Sequence, residues 1–101
     1  SANQGYSLAQ YNLGVFYYNG EGIPKNDIRP FKLFALSADQ GYDNAQNNLA
    51  LCYENGEGVE INIYKAIELY SLAAKQGNEM AIKNLNRIKS ADQSNKKDEP
   101  K

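Results

Sequence analysis

Apolar residues in this chain return every three or four positions in short runs, and the runs themselves return every 36 positions. Ala9, Leu13, Phe16 and Tyr17 fall on one side of a helix with 3.6 residues per turn, which predicts a helix over 7–19. The small Ala9 and Gly14 allow a neighbouring helix to come close. Gly20, Gly22 and Pro24 then interrupt the pattern. Gly20 suits a left-handed C-cap that most side chains resist, and Pro24 keeps a helix from resuming at once. Ile28, Phe31, Phe34, Ala35 and Ala38 restore helical spacing over 27–40. Asp27 is placed to cap this helix, and Pro30 falls in its first turn, where a missing N–H does little harm. The same grammar predicts helices over 43–55, 63–76 and 79–90. Asn62 takes over the cap of the fourth, because Ile63 stands where the first unit has Asp27.

Aligned without gaps, residues 5–40 and 41–76 share 16 identities in 36 positions. The turn Asn19-Gly20-Glu21-Gly22 recurs as Asn55-Gly56-Glu57-Gly58, and Gly77, Ala81 and Leu85 open a third copy. A period of this size marks a solenoid, in which each unit buries its apolar face against its neighbours. The organisation read from sequence is therefore all-α. Residues 1–4 align with the end of a preceding unit's second helix, 5–40 and 41–76 are complete units, and 77–90 supply the first helix of a third. Residues 91–101 offer nothing to bury and have the composition of a disordered tail. The chain reads as a stretch of a longer array.

Composition narrows the chemistry. The net charge is −1, so no overall field draws the chain to nucleic acid or an anionic membrane. The first 60 residues carry three basic and seven acidic side chains and the remainder eight and five, which argues against a continuous basic track for nucleic acid. No apolar run approaches the roughly 18 residues that a membrane span needs. Histidine is absent, and with it the commonest general base and zinc ligand. Cys52 is alone, aligns with Phe16 near the helix-packing surface, and reads as a buried structural thiol. The Gly-Glu-Gly turns lack both the preceding strand and the Gly-Lys-Ser/Thr ending of a phosphate loop. The carboxylates lack calcium-loop spacing. The residues thus point to no catalytic site, cofactor or metal, and the lone cysteine without a signal or spanning segment favours a cytoplasmic compartment.

The string Ala-x-x-x-Leu-(small)-x-x-Tyr, then Asn-Gly-x-Gly-(Val/Ile), then Lys-Ala…Ala-Ala-x-x-Gly, resembles the Sel-1-like repeat, a 36-residue relative of the tetratricopeptide repeat. Ala45, Leu49, Ala50, Tyr53, Gly56, Gly58, Val59, Lys65, Ala66, Ala73, Ala74 and Gly77 carry the resemblance in the second copy. Ala9, Leu13, Gly14, Tyr17, Gly20, Gly22, Ile23, Asp27, Ala38 and Gly41 carry it in the first. It implies a right-handed α/α superhelix, here about two and a half antiparallel helix-turn-helix units. The implied role is a non-catalytic scaffold or adaptor that binds a protein or peptide, with a regulatory or localising region of a larger enzyme, such as one with a kinase-like domain, as the alternative. Three positions depart from the family pattern. Pro30 replaces an Ala, Leu33 and Leu69 stand where Trp is frequent, and Leu36 and Leu72 stand where a polar residue is frequent. The last pair either packs between units or forms an apolar strip on the outer side.

In related superhelices the first helix of each unit lines a concave groove. That geometry makes Leu8, Tyr11, Val15, Tyr18 and Asn19 the candidate partner-binding residues of the first copy, Asn47, Leu51, Glu54 and Asn55 those of the second, and Lys83 and Arg87 those of the third, with Asn44 and Met80 beside them. Tyrosine and arginine give large contact area at modest entropic cost, which suits a peptide partner. So few units also leave apolar ends through which the chain is expected to self-associate.

Overall fold

The computed structural model describes the backbone of residues 2–20 and 27–97, and the side chains of residues 5–20 and 27–91. Among the described residues lie five α-helices and no strand: α1 (Ala2–Asn19), α2 (Arg29–Asp39), α3 (Asp43–Asn55), α4 (Ile63–Lys75) and α5 (Glu79–Lys97). Each packs chiefly on the helix before and after it in the chain. The result is an elongated slab of 54 × 33 × 18 Å, with α1, α3 and α5 as the first helices of successive units and α2 and α4 as the second.

Local chemistry explains the boundaries. Gly56 closes α3 in the left-handed conformation (φ 72°) and donates its N–H to the Cys52 carbonyl at 2.9 Å. Asn62 caps α4, its Oδ1 accepting from the Lys65 N–H at 3.1 Å, as the sequence predicts. Asp27 departs from expectation. The helix starts at Arg29, and Asp27 accepts from the Arg29 N–H (2.9 Å), two residues on, while its carboxylate also holds the Arg29 guanidinium at 2.7 Å. Residue 30, whose N–H an Asp27 cap would take by analogy with Asn62 and Lys65, is proline and has none to give. The expected turn at Glu21, Gly22 and Pro24 lies outside the described residues.

Both ends depart from the sequence reading. Helix α1 begins at Ala2 and runs through Gly5, whereas the aligned Gly41 and Gly77 have φ near +90° and reverse the chain. At the other end α5 continues to Lys97, through residues assigned to a disordered tail. No glycine or proline stands between Gly77 and Pro100 to stop it.

The core is one continuous cluster along the slab: Phe34 and Ala38 of α2, Ala45, Leu49, Ala50 and Cys52 of α3, Ala66, Leu69, Tyr70 and Ala73 of α4, and Ala81 of α5. Phe34 and Tyr70 occupy matching positions, and both are fully buried. Each contributes on the order of 2–3 kcal/mol by leaving water. The Phe34 ring reaches α1 at Gly14, where a Cβ would stand 2.8 Å from it. Pro30 is buried in the first turn of α2.

The stripe that predicts α1 is not the side it buries. Leu13 is 45% exposed and Phe16 71%, while the aligned Leu49 and Cys52 are 7% and 0%. These positions face the unit before. Helix α3 meets α2 there and α5 meets α4, but no helix precedes α1 among the described residues. Helix α1 instead seats Ser7, Gly14 and the half-buried Tyr11 and Val15 on the core.

Two glycines with positive φ separate backbone strain from crowding. At Gly41 (φ 89°) nothing would meet an added Cβ within 4 Å, whereas at Gly58 (φ 75°) it would lie 2.8 Å from the Asp27 carbonyl oxygen. In urea unfolding, Gly41→Ala should cost about 1–2 kcal/mol from the left-handed backbone alone. Gly58→Ala should cost about 2–4 kcal/mol, because the turn must also move off α2. Equal losses would contradict this packing of turn against helix.

Candidate interaction surface

Side chains of α1, α3 and α5 meet across the unit boundaries and knit one wall. Asn48 of α3 donates its Nδ2 to the Tyr11 hydroxyl at 3.5 Å, and the Tyr18 hydroxyl donates to Glu57 Oε1 at 2.8 Å. One unit further on, Asn84 donates to Asn47 Oδ1 at 3.0 Å, and Arg87 grips both oxygens of Glu54 at 2.7 and 2.8 Å. The Tyr70 hydroxyl adds a third bond to Glu54 from within the unit, at 2.7 Å. Asn78 serves as N-cap of α5, its Oδ1 accepting from the Ala81 N–H at 2.9 Å. Its Nδ2 donates to Asp43 Oδ2 (2.9 Å) and Asn44 Oδ1 (2.8 Å), tying the last helix to the first turn of α3.

A second set of bonds repeats inside each unit. Gln40 donates to Gln10 Oε1 at 2.7 Å, and Gln76, 36 residues later, donates to Gln46 Oε1 at 2.9 Å. Among the described residues no buried side-chain nitrogen or oxygen lacks a partner. A satisfied network of this kind fixes the register of one unit on the next.

The candidate residues divide by what they already hold. Tyr11 packs edge-on to Tyr42 with centroids 5.2 Å apart, and Tyr18 leans on Phe34 at 6.1 Å. Asn47 is buried, and Glu54 and Arg87 are spent on each other. Val15 and Leu51 are half-buried against the core. Leu8, Asn19, Asn55 and Lys83 are exposed, as are Asn44 and Met80. The wall therefore presents fixed aromatic and ionic groups between open ones. Asn48, Asn78 and Asn84 were not among the candidates. Only Asn78, an amide just before the apolar run of α5, carries a sequence signal, that of an N-cap.

The electrostatics follow from these contacts. The Arg87 hydrogen bonds hold the Glu54 carboxyl below its ordinary value; burial works against them and the Tyr70 hydroxyl reinforces them. Burial first, then Glu54, pushes the Tyr70 hydroxyl far up, and burial followed by Glu57 does the same to Tyr18. The buried Cys52 thiol is pushed up to about 12, by burial and then by Glu57, so it stays protonated and unreactive. Among the described residues no group of three or more metal-ligating side chains is brought together, and no helix is long and apolar enough to cross a membrane.

The opposite side of the slab has a different character. Leu36 of α2 and Leu72 of α4 are 53% and 44% exposed, so they do not serve as packing between units. Beside them a groove of about 440 Å³ runs between α2 and α4, lined by Ala35, Asp39, Gln46, Lys65, Leu69 and Leu72.

Comparison with known proteins follows the same periodicity. The family model described as Sel1 repeat matches residues 7–42 and 43–78, two adjoining copies of 36 residues. Among solved structures, the Sel1 repeat protein from Oxalobacter formigenes aligns with 81% of this chain at 33% identity and a TM-score of 0.74. The c5321 protective antigen of uropathogenic Escherichia coli strains, described as displaying an SLR fold, aligns with 79% at 36% identity and a TM-score of 0.69. The chain spans only 34% and 17% of the lengths of these two proteins. A comparison with curated proteins finds no match.

The Glu54–Arg87 pair makes a pH-dependent contribution whose sign is fixed. A carboxyl held below its unfolded value of about 4.3 adds stability above that pH, and the gain is lost as pH falls through the lower folded value. Wild type should therefore lose more stability than Glu54→Gln on going from about pH 6 to about pH 3, by roughly 1 kcal/mol or less given the exposure of Arg87. Chemical unfolding at the two pH values reads the difference. Parallel losses would remove the pair from the account.

Proposed function

The chain belongs to the Sel1 repeat family, and from that premise we propose that it is a non-catalytic protein-interaction module whose partner, a peptide segment or a protein surface, docks on the wall formed by α1, α3 and α5. Sel1 repeats are generally modules of protein–protein interaction. One observation carries the choice of wall: the cross-unit bonds of Tyr11, Tyr18, Asn47, Glu54 and Arg87 hold its side chains in place before any partner arrives. A surface ordered in advance loses less entropy on binding. Tyr11, Tyr18 and Leu51 supply aromatic and apolar contact. Leu8, Asn19, Asn55 and Lys83 supply exposed groups that nothing in the fold employs for packing. Repetition extends the surface: Val15, Leu51 and Arg87 stand at one position of three successive units, and Leu8, Asn44 and Met80 at another.

The test separates this wall from the outer leucine strip. A photo-crosslinking residue at Leu8 or Lys83 should capture one discrete partner in cells of the source organism, and the same residue at Leu36 or Leu72 should not. Replacing Tyr11, Tyr18 and Leu51 together with alanine should weaken capture by about tenfold or more, ~1.4 kcal/mol of binding. Leu8→Glu with Lys83→Glu, both at exposed sites, should weaken it without lowering the melting temperature. Capture from Leu36 and Leu72 alone would place the partner on the other side.

A further inference from the structure

The two ends of the array are not equivalent, and the difference points to a partner for one of them. A further second helix packed on α5 would meet Ile82, Asn86 and Lys89, all exposed. Asn86 aligns with Gly14 and Ala50, where close approach is needed, and Lys89 with Tyr17 and Tyr53. An amide and an ammonium there make a polar end. Helix α1 shows the reverse. Tyr6, Ala9, Leu13 and Phe16 form one exposed stripe, with Tyr6 at 64% and Phe16 at 71%. Tyr17 flanks it, packed edge-on to Phe16 (5.7 Å) and covered by the Arg29 guanidinium at 4.5 Å. In α3 the same positions hold Tyr42, Ala45, Leu49 and Cys52, none of them exposed.

We propose that this stripe is a homodimer interface, in which two copies of the chain pair α1 against α1 about a two-fold axis. Charge selects the occupant. Among the 18 residues of α1 there is no acidic or basic side chain, in a chain that is 23% charged. A two-fold contact sets each group close to its own image, so any charge near the axis meets a like charge. Helix α1 is the helix of this chain that avoids that penalty throughout. On α5 the corresponding pairing would oppose Lys83, Arg87 and Lys89 to their own copies.

Closure follows from the other end. A head-to-tail chain of copies would need α5 to offer an apolar seat, and Asn86 and Lys89 deny it, so association stops at two. Phe16 and Tyr6 are the large aromatic side chains that dominate small interfaces. A single helix face, about 27 Å long for 18 residues, lies at the low end of interface size, so the dimer is weak and concentration-dependent. The inference rests on the repeat fold and not on the partner wall. Leu8 and Lys83 lie off the stripe, so crosslinking there and self-association can fail separately.

Sedimentation equilibrium of the 101-residue chain, from about 10 μM to about 1 mM, should show the mean mass rise from one chain toward two and no further. Phe16→Asp, at a site too exposed to disturb folding, should weaken association at least tenfold and leave the low-concentration melting temperature unchanged. Leu13→Asp should act in the same direction. Leu36→Asp with Leu72→Asp, on the outer strip, should leave association as it is. Three results would overturn the proposal: a single-chain mass at every concentration, growth beyond two, or association lost with the leucine pair but kept with Phe16→Asp.

Discussion

A helical hairpin of 36 residues cannot cover its own first helix on all sides, and everything in this structure follows from that shortage. One side of α3 is covered by its own partner α4 and the other by α2 of the unit before. Ala45, Leu49 and Cys52 are buried only because of the second contact. The same three positions in α5, Ala81, Leu85 and Ile88, are buried or half-buried against α4. In α1 they are Ala9, Leu13 and Phe16, and they face outward. Identical places in the repeat thus have opposite fates, decided by the neighbour rather than by the residue.

Polar bonds make that stacking specific. Dispersion and hydrophobic burial would tolerate a small slide of one unit on the next. The Asn47–Asn84 bond, the two bonds of Arg87 to Glu54 and the three bonds of Asn78 do not. They sit on or beside the wall proposed to meet a partner, so residues that fix the superhelix also shape the surface it shows. Tyr18 and Glu57 extend the network to the turn after α3, where Gly58 lets the backbone pass close to Asp27.

Much of this was legible in the chain. The 36-residue period located the helices and the two full units, Asn62 was identifiable as a cap, and the alignment of Cys52 with a packing position anticipated its burial. Other features needed three dimensions. Periodicity reports that Leu13 and Phe16 are on one side of a helix but not whether anything lies against that side. Asp27 looked like a cap because propensity scores a residue alone, while the outcome depended on the missing N–H of Pro30. The candidate wall was correctly assigned to one set of helices, yet nothing in sequence spacing says that Glu54 would be spent on Arg87 or that Asn47 would be buried. Leu36 and Leu72 were open between two readings, and their exposure decides against packing between units.

The central claim is that the neighbour sets the energy of each packing position, and one pair of matched substitutions tests it most directly. Leu13 and Leu49 are the same residue at the same place in the repeat, 45% and 7% exposed. At protein concentrations low enough to exclude self-association, Leu49→Ala should lower the unfolding free energy by about 2–5 kcal/mol, as for a buried leucine. Leu13→Ala should lower it by about 0.5 kcal/mol or less, as for a surface site. Comparable losses at the two positions would contradict the account.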